Sequence, residues 1–461
     1  MELIRPRIEP PLDPGFRPAV LANRAFREKV KASGQGVPLA LGVERSDGTL
    51  SVYRTEVFAP GSPHAGENLE YAERIVKFLL WQRGGYRVIV GGPRAVGEHI
   101  RSVYSPTGAR AFDHEFMGDV YERPFTVAIT EAEQVPPPRE QSKALGRHLE
   151  GYRIGFDAGA SDRKVSAVVN GEAVFSEEVV WDPRPQSDPA YHYREIAHSL
   201  TAAAAHLPRV DAIGVSSAGI YINNRVMVAS LFRGVPKDRF DAEVKDLFLR
   251  IQKEWNVPLE VVNDGEVTAL AGSMSLGVNA ILGVAMGSSE AAGYVTPEGN
   301  ITNWLNELAF APVDYSPGAP VDEWSGDRGV GALYFSQQAI FRLAPAAGIP
   351  LDESLGLAER LKCFQELHQA GDPRTPGVYQ TIGTYLGYGV AHYADFYDLQ
   401  HVLVLGRVTS GDGGQIILDR ANRVLATEFP ALAKRVSLNL PDEKSRRVGQ
   451  SIAAASLPET A

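Results

Sequence analysis

The stretch Glu260-Val261-Val262-Asn263-Asp264-Gly265-Glu266-Val267-Thr268-Ala269-Leu270-Ala271-Gly272 runs from an apolar strand into a polar turn and then into a helix of small residues. Asp264 is thereby aimed off the end of a buried strand, where desolvation is costly unless the charge has partners or chemical work. Taken alone, the Asn-Asp-Gly turn is equally an ordinary helix start with Asp264 as N-cap. Working outward, the pattern on both sides is strand, glycine-rich turn, strand, then alternating helices and strands. "YRIGFDAGASDRKVSAVVNGEAVFSEEVV" (152–180) reads as three strands around a glycine turn and an Asn-Gly turn. "DPAYHYREIAHSLTAAAAHL" (188–207) reads as a helix, "VDAIGVSSAG" (210–219) as a strand and "DAEVKDLFLRIQKEW" (241–255) as one further helix.

After residue 275 the layout begins again. "AILGVAMGSSEAAGYV" (280–295) is a hairpin, an irregular region extends to about 332, and helices follow near 333–345 and 355–370. The strand "HVLVLG" (401–406), a helix from about 414 and a closing helix in "DEKSRRVGQSIAAASL" (442–457) complete the pattern. The expected architecture is α/β with two lobes, 151–275 joined by the closing helix and 276–441, and a ligand cleft between them. Asp157, Ser216-Ser217-Ala218-Gly219, Asp264 and Gly406 each lie where a strand ends, which is where open α/β sheets bind ligands.

Ahead of these lobes stand an arm rich in Pro and Arg (1–37), a small α/β segment (38–135) and a linker (136–150) opened by Pro136-Pro137-Pro138. "LALGVERSDGTLSVYRTEVF" (39–58), a helix at 67–83 and "VIVGGP" (88–93) echo the order of 154–219. That order fits either a degenerate half-repeat without a phosphate site or an unrelated unit of similar periodicity.

Bulk properties narrow the function. At 461 residues with 44% hydrophobic and 22% charged residues, the chain has the composition of a soluble globular protein of two or three domains. A net charge of −10 argues against a nucleic-acid partner. The single cysteine, Cys363, excludes an internal disulfide and fits a reducing compartment. No window has the roughly 18 apolar residues of a membrane span, and "MELIRPRIEPPLDPGF" lacks the apolar run of a signal peptide. A cytoplasmic protein without a membrane partner is expected. The ten histidines show no metal spacing and are expected mostly on surfaces or helix faces.

From residue 151 onward the chain resembles the ROK family (repressors, unannotated open reading frames and sugar kinases) of the actin-like ATPase superfamily, with its ribonuclease H-like fold. "IGFDAGASDRKVSAVV" (154–169) is similar to that family's first phosphate motif, "GVSSAG" (214–219) to its sugar-side loop and "VVNDGEVTALAG" (261–272) to its catalytic segment. "GVAMGSSEAAGYV" (283–295) resembles the second phosphate motif, "HVLVLGRVTSGDGG" (401–414) the adenosine motif and "RRVGQSIAAASL" (446–457) the returning helix. The resemblance implies an ATP- and Mg²⁺-dependent kinase of a hexose or related sugar, acting as a homodimer, with Asp264 as general base. Asn263, Ser217, Gly219 and Glu307 would bind the sugar. Asp157, Gly159, Ser161, Lys164, Gly287, Ser288, Ser289 and Gly406 would bind the nucleotide, with Asp157 also holding Mg²⁺ through water.

The departures are specific. Phe310 stands where the family has a histidine after Glu307, and "DYSPGAPVDEWSGDRGVGALYFSQ" (314–337) has neither cysteine nor histidine, so no zinc site is expected. Glu307 is otherwise a candidate surface glutamate. Ala158 and Ala160 leave one glycine in the first turn, and Ser288-Ser289-Glu290 and Glu266 bring carboxylates toward the expected phosphates. Two such charges weaken ATP binding or raise the demand for Mg²⁺. They leave open a sugar-sensing regulator without transfer chemistry, or an actin-like ATPase without a sugar.

Overall fold

The computed structural model describes residues 1–159, 162–441 and 443–460, with backbone alone for 443–448. The chain divides into two compact units. Unit 1 is Met1–Gln141, Val284–Ala292 and Asn303–Leu440; unit 2 is Ser142–Gly283, Gly293–Thr302 and Pro441–Ala461. No helix among the described residues is long and apolar enough to cross a membrane.

Unit 2 is built on a five-stranded sheet ordered Leu259–Asn263, Ala212–Ser217, Tyr152–Ala158, Asp162–Val169, Glu172–Val180. The first three strands are parallel and the last two turn back as antiparallel hairpins. Asn170 and Gly171 both have positive φ, 49° and 84°, as a two-residue hairpin turn requires. One face of the sheet buries Ile154, Phe156, Ile213, Val215 and Val261 against Leu200 and Phe248 from its covering helices. The helix Pro189–Ala204 starts on an Asp188 N-cap that accepts from the Ala190 amide.

Against the sheet lies the closing helix Glu443–Ala455, and here the glycines in the strands matter. A Cβ at Gly214 would lie 1.6 Å from the Ala454 carbonyl oxygen, and one at Gly155 1.8 Å from that of Ser451. Helix backbone therefore rests directly on strand backbone. The expected single helix over 241–255 is broken: a π-helical turn covers Phe240–Val244 and the α-helix begins at Leu247. The Lys245 carbonyl leaves the helical ladder to accept from the Val226 amide at 3.0 Å, and Arg225 pairs with Asp246 at 2.8 Å.

Unit 1 joins the N-terminal segment to the second half of the chain. Its N-terminal sheet is ordered Leu50–Phe58, Gly36–Glu44, Arg87–Gly91, Thr126–Thr130. Gly36–Glu44 is antiparallel to both neighbours. The corresponding pair in unit 2, Tyr152–Ala158 with Ala212–Ser217, is parallel, so the echo in the sequence does not extend to strand direction. The cause is a strand count: three meander strands precede the helix in unit 2 and two precede it here, so the chain re-enters the sheet reversed.

The segment 38–135, expected to form an accessory domain, lies in one compact unit with 303–440. Asp327 is gripped by Arg74 at 3.1 Å, Lys77 at 3.7 Å and Arg110 at 2.6 Å. Gln82 donates to the Phe396 carbonyl at 3.1 Å. The N-terminal arm follows the same course: Phe16 packs 4.8 Å from Tyr385 and 5.9 Å from Tyr334, and the Arg17 amide donates to Asp314 at 2.9 Å. The aromatic helix Thr375–Tyr393 is nearly all core, with Tyr379, Tyr385, Tyr388 and Tyr393 buried.

Candidate functional site

The site in unit 2 follows from strand register. Asp157 lies opposite Ser216, and Ser216 opposite Val262; one step further, Ala158, Ser217 and Asn263 are aligned. Three parallel strands thus end together, and the helix Asp264–Leu276 starts at that edge. Residues about 100 apart in the chain meet there because parallel strands carry their carboxyl ends to one side of a sheet.

Asp157 is half-buried and accepts from Ser216 Oγ at 2.8 Å. Burial pushes its pKa up to about 6; the Ser216 hydrogen bond and Lys164 oppose that shift, and the Asp264 charge adds to it. Lys164 is the cross-strand partner of Asp157 and also pairs with Asp162 at 3.5 Å and Glu178 at 3.9 Å. The Gly159 carbonyl accepts from Trp181 Nε1 at 2.8 Å, which ties the end of the Asp157 strand to Trp181. Ser161 lies outside the described residues.

Asn263, not Asp264, is the N-cap: its Oδ1 accepts from the Gly265 amide at 2.8 Å. Its Nδ2 donates to the Gly219 carbonyl at 2.7 Å, so Asn263 ties the 216–219 loop to the helix start. Gly219 has φ +136°, and a Cβ there would lie 2.5 Å from the Val228 carbonyl oxygen. Ser217 is fully buried and its Oγ accepts from the Tyr221 hydroxyl at 2.6 Å. Asp264 is the first helical residue and its Oδ1 accepts from the Gly265 amide at 3.0 Å. No ion pair holds it among the described residues, and burial raises its pKa above the ordinary carboxylate value. A carboxylate so raised is a stronger proton acceptor, held at the end of a rigid strand.

Sequence reading missed two supporting groups here and the role of a third. Ser216, placed by the sequence at the same strand ends as Asp157, donates to it, a role readable only from register. Tyr221 fixes Ser217 from the hairpin that follows it. Gln450 reaches Ser216 Oγ at 3.2 Å from the closing helix, and nothing local in the sequence signals that contact.

In unit 1 the expected phosphate and adenosine loops meet. Gly406, with φ +100°, approaches the backbone of Met286 so closely that a Cβ would lie 2.5 Å from the Met286 carbonyl oxygen. The Gly287 carbonyl accepts from the Gln337 amide at the start of the helix Gln337–Ala346, while Ser288 and Ser289 are exposed at the turn. Glu307 is half-buried and its amide donates to the Trp81 carbonyl at 2.9 Å, near the end of the helix Glu67–Arg83. Among the described residues no group of three or more His, Cys, Asp or Glu is arranged to hold a metal ion.

No protein-family model matches the sequence, and a search of curated proteins finds no match. Solved structures do match. The ROK hexokinase from Thermus thermophilus aligns with a TM-score of 0.52 at 17% identity, over 66% of this chain and 97% of that one. The ROK family glucokinase from Streptomyces griseus, solved with glucose and AMPPNP, gives 0.50 at 17%, over 67% and 99%. A ROK family transcriptional regulator, a homolog of the E. coli MLC protein, gives 0.51 at 17%, over 85% and 96%. The chain has the ROK fold.

On that ROK fold the departures seen in the sequence resolve differently from expectation. Glu290 brings no charge to the Gly287 loop: it is 3% exposed, accepts from the Tyr393 hydroxyl at 3.1 Å, and burial pushes its pKa up to about 8. Burial thus favours its protonated form, and the side chain packs within unit 1. Glu266 is likewise 4% exposed and accepts from the Tyr294 amide at 3.2 Å, so it ties backbone together within unit 2. Phe310 packs 4.4 Å from Trp81 and 5.3 Å from Trp324, in an aromatic cluster rather than alone beside Glu307. Of the histidines, His192 and His392 are core residues.

Proposed function

We propose that the protein is a sugar kinase that transfers the γ-phosphoryl group of ATP to a hydroxyl of a hexose or related sugar. The observation that carries this reading is the shared edge of three parallel strands, with Asp264 held at a helix start beside Asp157 and the Ser216–Gly219 loop. In the proposed step Asp264 accepts the proton of the attacking hydroxyl. The hydroxyl oxygen bonds to the γ-phosphorus, the bond from that phosphorus to the β–γ bridging oxygen breaks, and ADP leaves. Phosphoryl transfer asks mainly for positioning and charge neutralisation. Asn263 serves positioning by clamping the Gly219 loop to the base, Gly219 and Glu307 are the sugar-side groups, and Ser217, buried against Tyr221, supports that loop from beneath. Gly287, Ser288, Ser289 and Gly406 are assigned to the nucleotide, as are Gly159, Ser161 and Lys164.

Asp157, one half-buried carboxylate with a hydroxyl partner, fits the donor set of a Mg²⁺ ion held through water. That ion would supply positive charge to the phosphate oxygens. The test is turnover across a sugar panel with Asp264→Asn beside the wild type. The expected result is a kcat lower by roughly 10²–10⁴-fold in the variant, with sugar and nucleotide binding by calorimetry unchanged. Wild-type protein that transfers no phosphate to any sugar overturns the reading.

A second reading, a sugar-responsive regulator without transfer, draws on the ROK regulator's alignment over 85% of this chain against 66% for the hexokinase. It predicts sugar binding that is indifferent to ATP.

A further inference from the structure

The closing helix carries a side chain that the kinase reading does not use. Gln450 lies one turn before Ala454 on the helix Glu443–Ala455, and its Nε2 donates to Ser216 Oγ at 3.2 Å. Ser216 is fully buried at the end of its strand and donates in turn to Asp157 Oδ1 at 2.8 Å. A single chain of donors thus runs from the helix to the carboxylate.

Alternation along the strands puts these groups on one face of the sheet. Gly155 and Asp157 share a face of Tyr152–Ala158, Gly214 and Ser216 share a face of Ala212–Ser217, and the register sets Gly155 beside Gly214 and Asp157 beside Ser216. The two glycines are where helix backbone meets the sheet, at Ser451 and Ala454. From Ala454 back to Gln450 the helix advances about 6 Å, and from Gly214 to Ser216 the strand advances about 6.6 Å. The two steps match, so seating on glycine brings the Gln450 side chain to Ser216. Ser451 adds a second tie, its Oγ 2.8 Å from Ser166 Oγ, and Ser166 is the cross-strand partner of Gly155 on Asp162–Val169. Gln450 is therefore placed by the backbone beneath it as well as by its own hydrogen bond.

Direction follows from the count of protons. A hydroxyl has one proton and two acceptor lone pairs, whereas a side-chain amide nitrogen only donates. With Gln450 donating to it, Ser216 has an acceptor position filled and its one proton directed to Asp157. Hydrogen bonds in such a chain polarise one another. Asp157 Oδ1 is thereby held, while Oδ2 takes no hydrogen bond among the described residues.

We propose that Gln450 is a positioning residue: through Ser216 it orients Asp157 toward the Mg²⁺ ion assigned to that carboxylate, which makes the closing helix part of the metal site. Outer groups that orient a metal-binding side chain change metal affinity by about 10–100-fold. The inference rests on the Mg²⁺ reading of Asp157 and not on the sugar or on Asp264, and the two fail separately.

The test is calorimetric titration of AMPPNP with and without Mg²⁺, in the absence of sugar, so that the readout is the tightening of nucleotide binding by the metal rather than turnover. Asp157→Asn is expected to abolish that tightening. Gln450→Met, apolar and of similar length, lowers it about tenfold and leaves the affinity without metal unchanged. Gln450→Glu, which offers an acceptor where the amide donated, lowers it at least as far. In a Ser216→Ala background Gln450→Met adds nothing, because the side chain acts through that hydroxyl. Tightening untouched by Gln450→Met, or lowered just as much in the Ser216→Ala background, overturns the proposal, and its loss in Asp157→Asn then leaves the metal reading standing. A fall in metal-free affinity in Gln450→Met marks a merely structural role and overturns it too. Tightening that survives Asp157→Asn, or is absent from wild type, overturns the metal reading and the proposal with it.

Discussion

Glu290 shows how a single residue changes meaning between sequence and structure. In "GSSE" it reads as a charge beside phosphates, yet it is buried against Tyr393, where burial favours the protonated acid. Its Oε2 is buried and takes no hydrogen bond among the described residues, so the cost of ionising it is high. With a pKa raised from 4.5 to about 8, its contribution to stability is complete below about pH 4.5 and is lost as pH rises through 8. Thermal midpoints measured from pH 5 to 9 are therefore expected to fall more steeply for wild type than for Glu290→Gln, which has no proton to lose. Parallel slopes contradict that account. Asp157 is the weaker case of the same effect, with a pKa near 6 because Ser216 and Lys164 offset part of its burial.

The elements themselves were largely readable. Strand and helix order over 152–219 and 259–295 follows from period-two and helical apolar spacing, and the Asn170-Gly171 turn is a direct hairpin signal, whereas the short hairpin of Ile220–Ile222 and Arg225–Val228 was not read. The break of the 241–255 helix was not, because its cause is a carbonyl taken by Val226, a contact made only after folding. The unlike strand directions of the N-terminal sheet could have been found by counting strands before the helix. The seating of the closing helix is also a property of elements. Gly214→Ala puts a methyl group 1.6 Å from the Ala454 carbonyl oxygen and must lift the helix. A loss of about 1–3 kcal/mol or more is expected, measured by urea unfolding, together with weaker Gln450 support of Ser216. A variant as stable as wild type would mean that the helix does not bear on the strand.

For the molecule as a whole, the N-terminal segment is not an appendage. Residues 1–141 share a unit with 303–440 and hold it through Asp327, Phe396, Asp314 and the Phe16 cluster. Asp327→Ala leaves Arg74, Lys77 and Arg110 buried without their shared partner, and a cost of about 3–5 kcal/mol is expected by chemical unfolding. Deletion of residues 1–141 is expected to leave 303–440 without cooperative thermal unfolding, read by near-ultraviolet circular dichroism. A sharp transition in the shortened chain would make the segment dispensable.

Composition and periodicity were enough for the α/β class, the order of elements and the candidate acid at the end of a strand, because those features depend on residues near one another in the chain. The joining of the N-terminal segment to 303–440, the inward turn of Glu290 and Glu266, and the support of Asp157 by Ser216 and Gln450 were settled only by folding. Each depends on groups tens to hundreds of residues apart, whose burial and register fix charge state and direction, and neither burial nor register is a property of any local stretch of sequence.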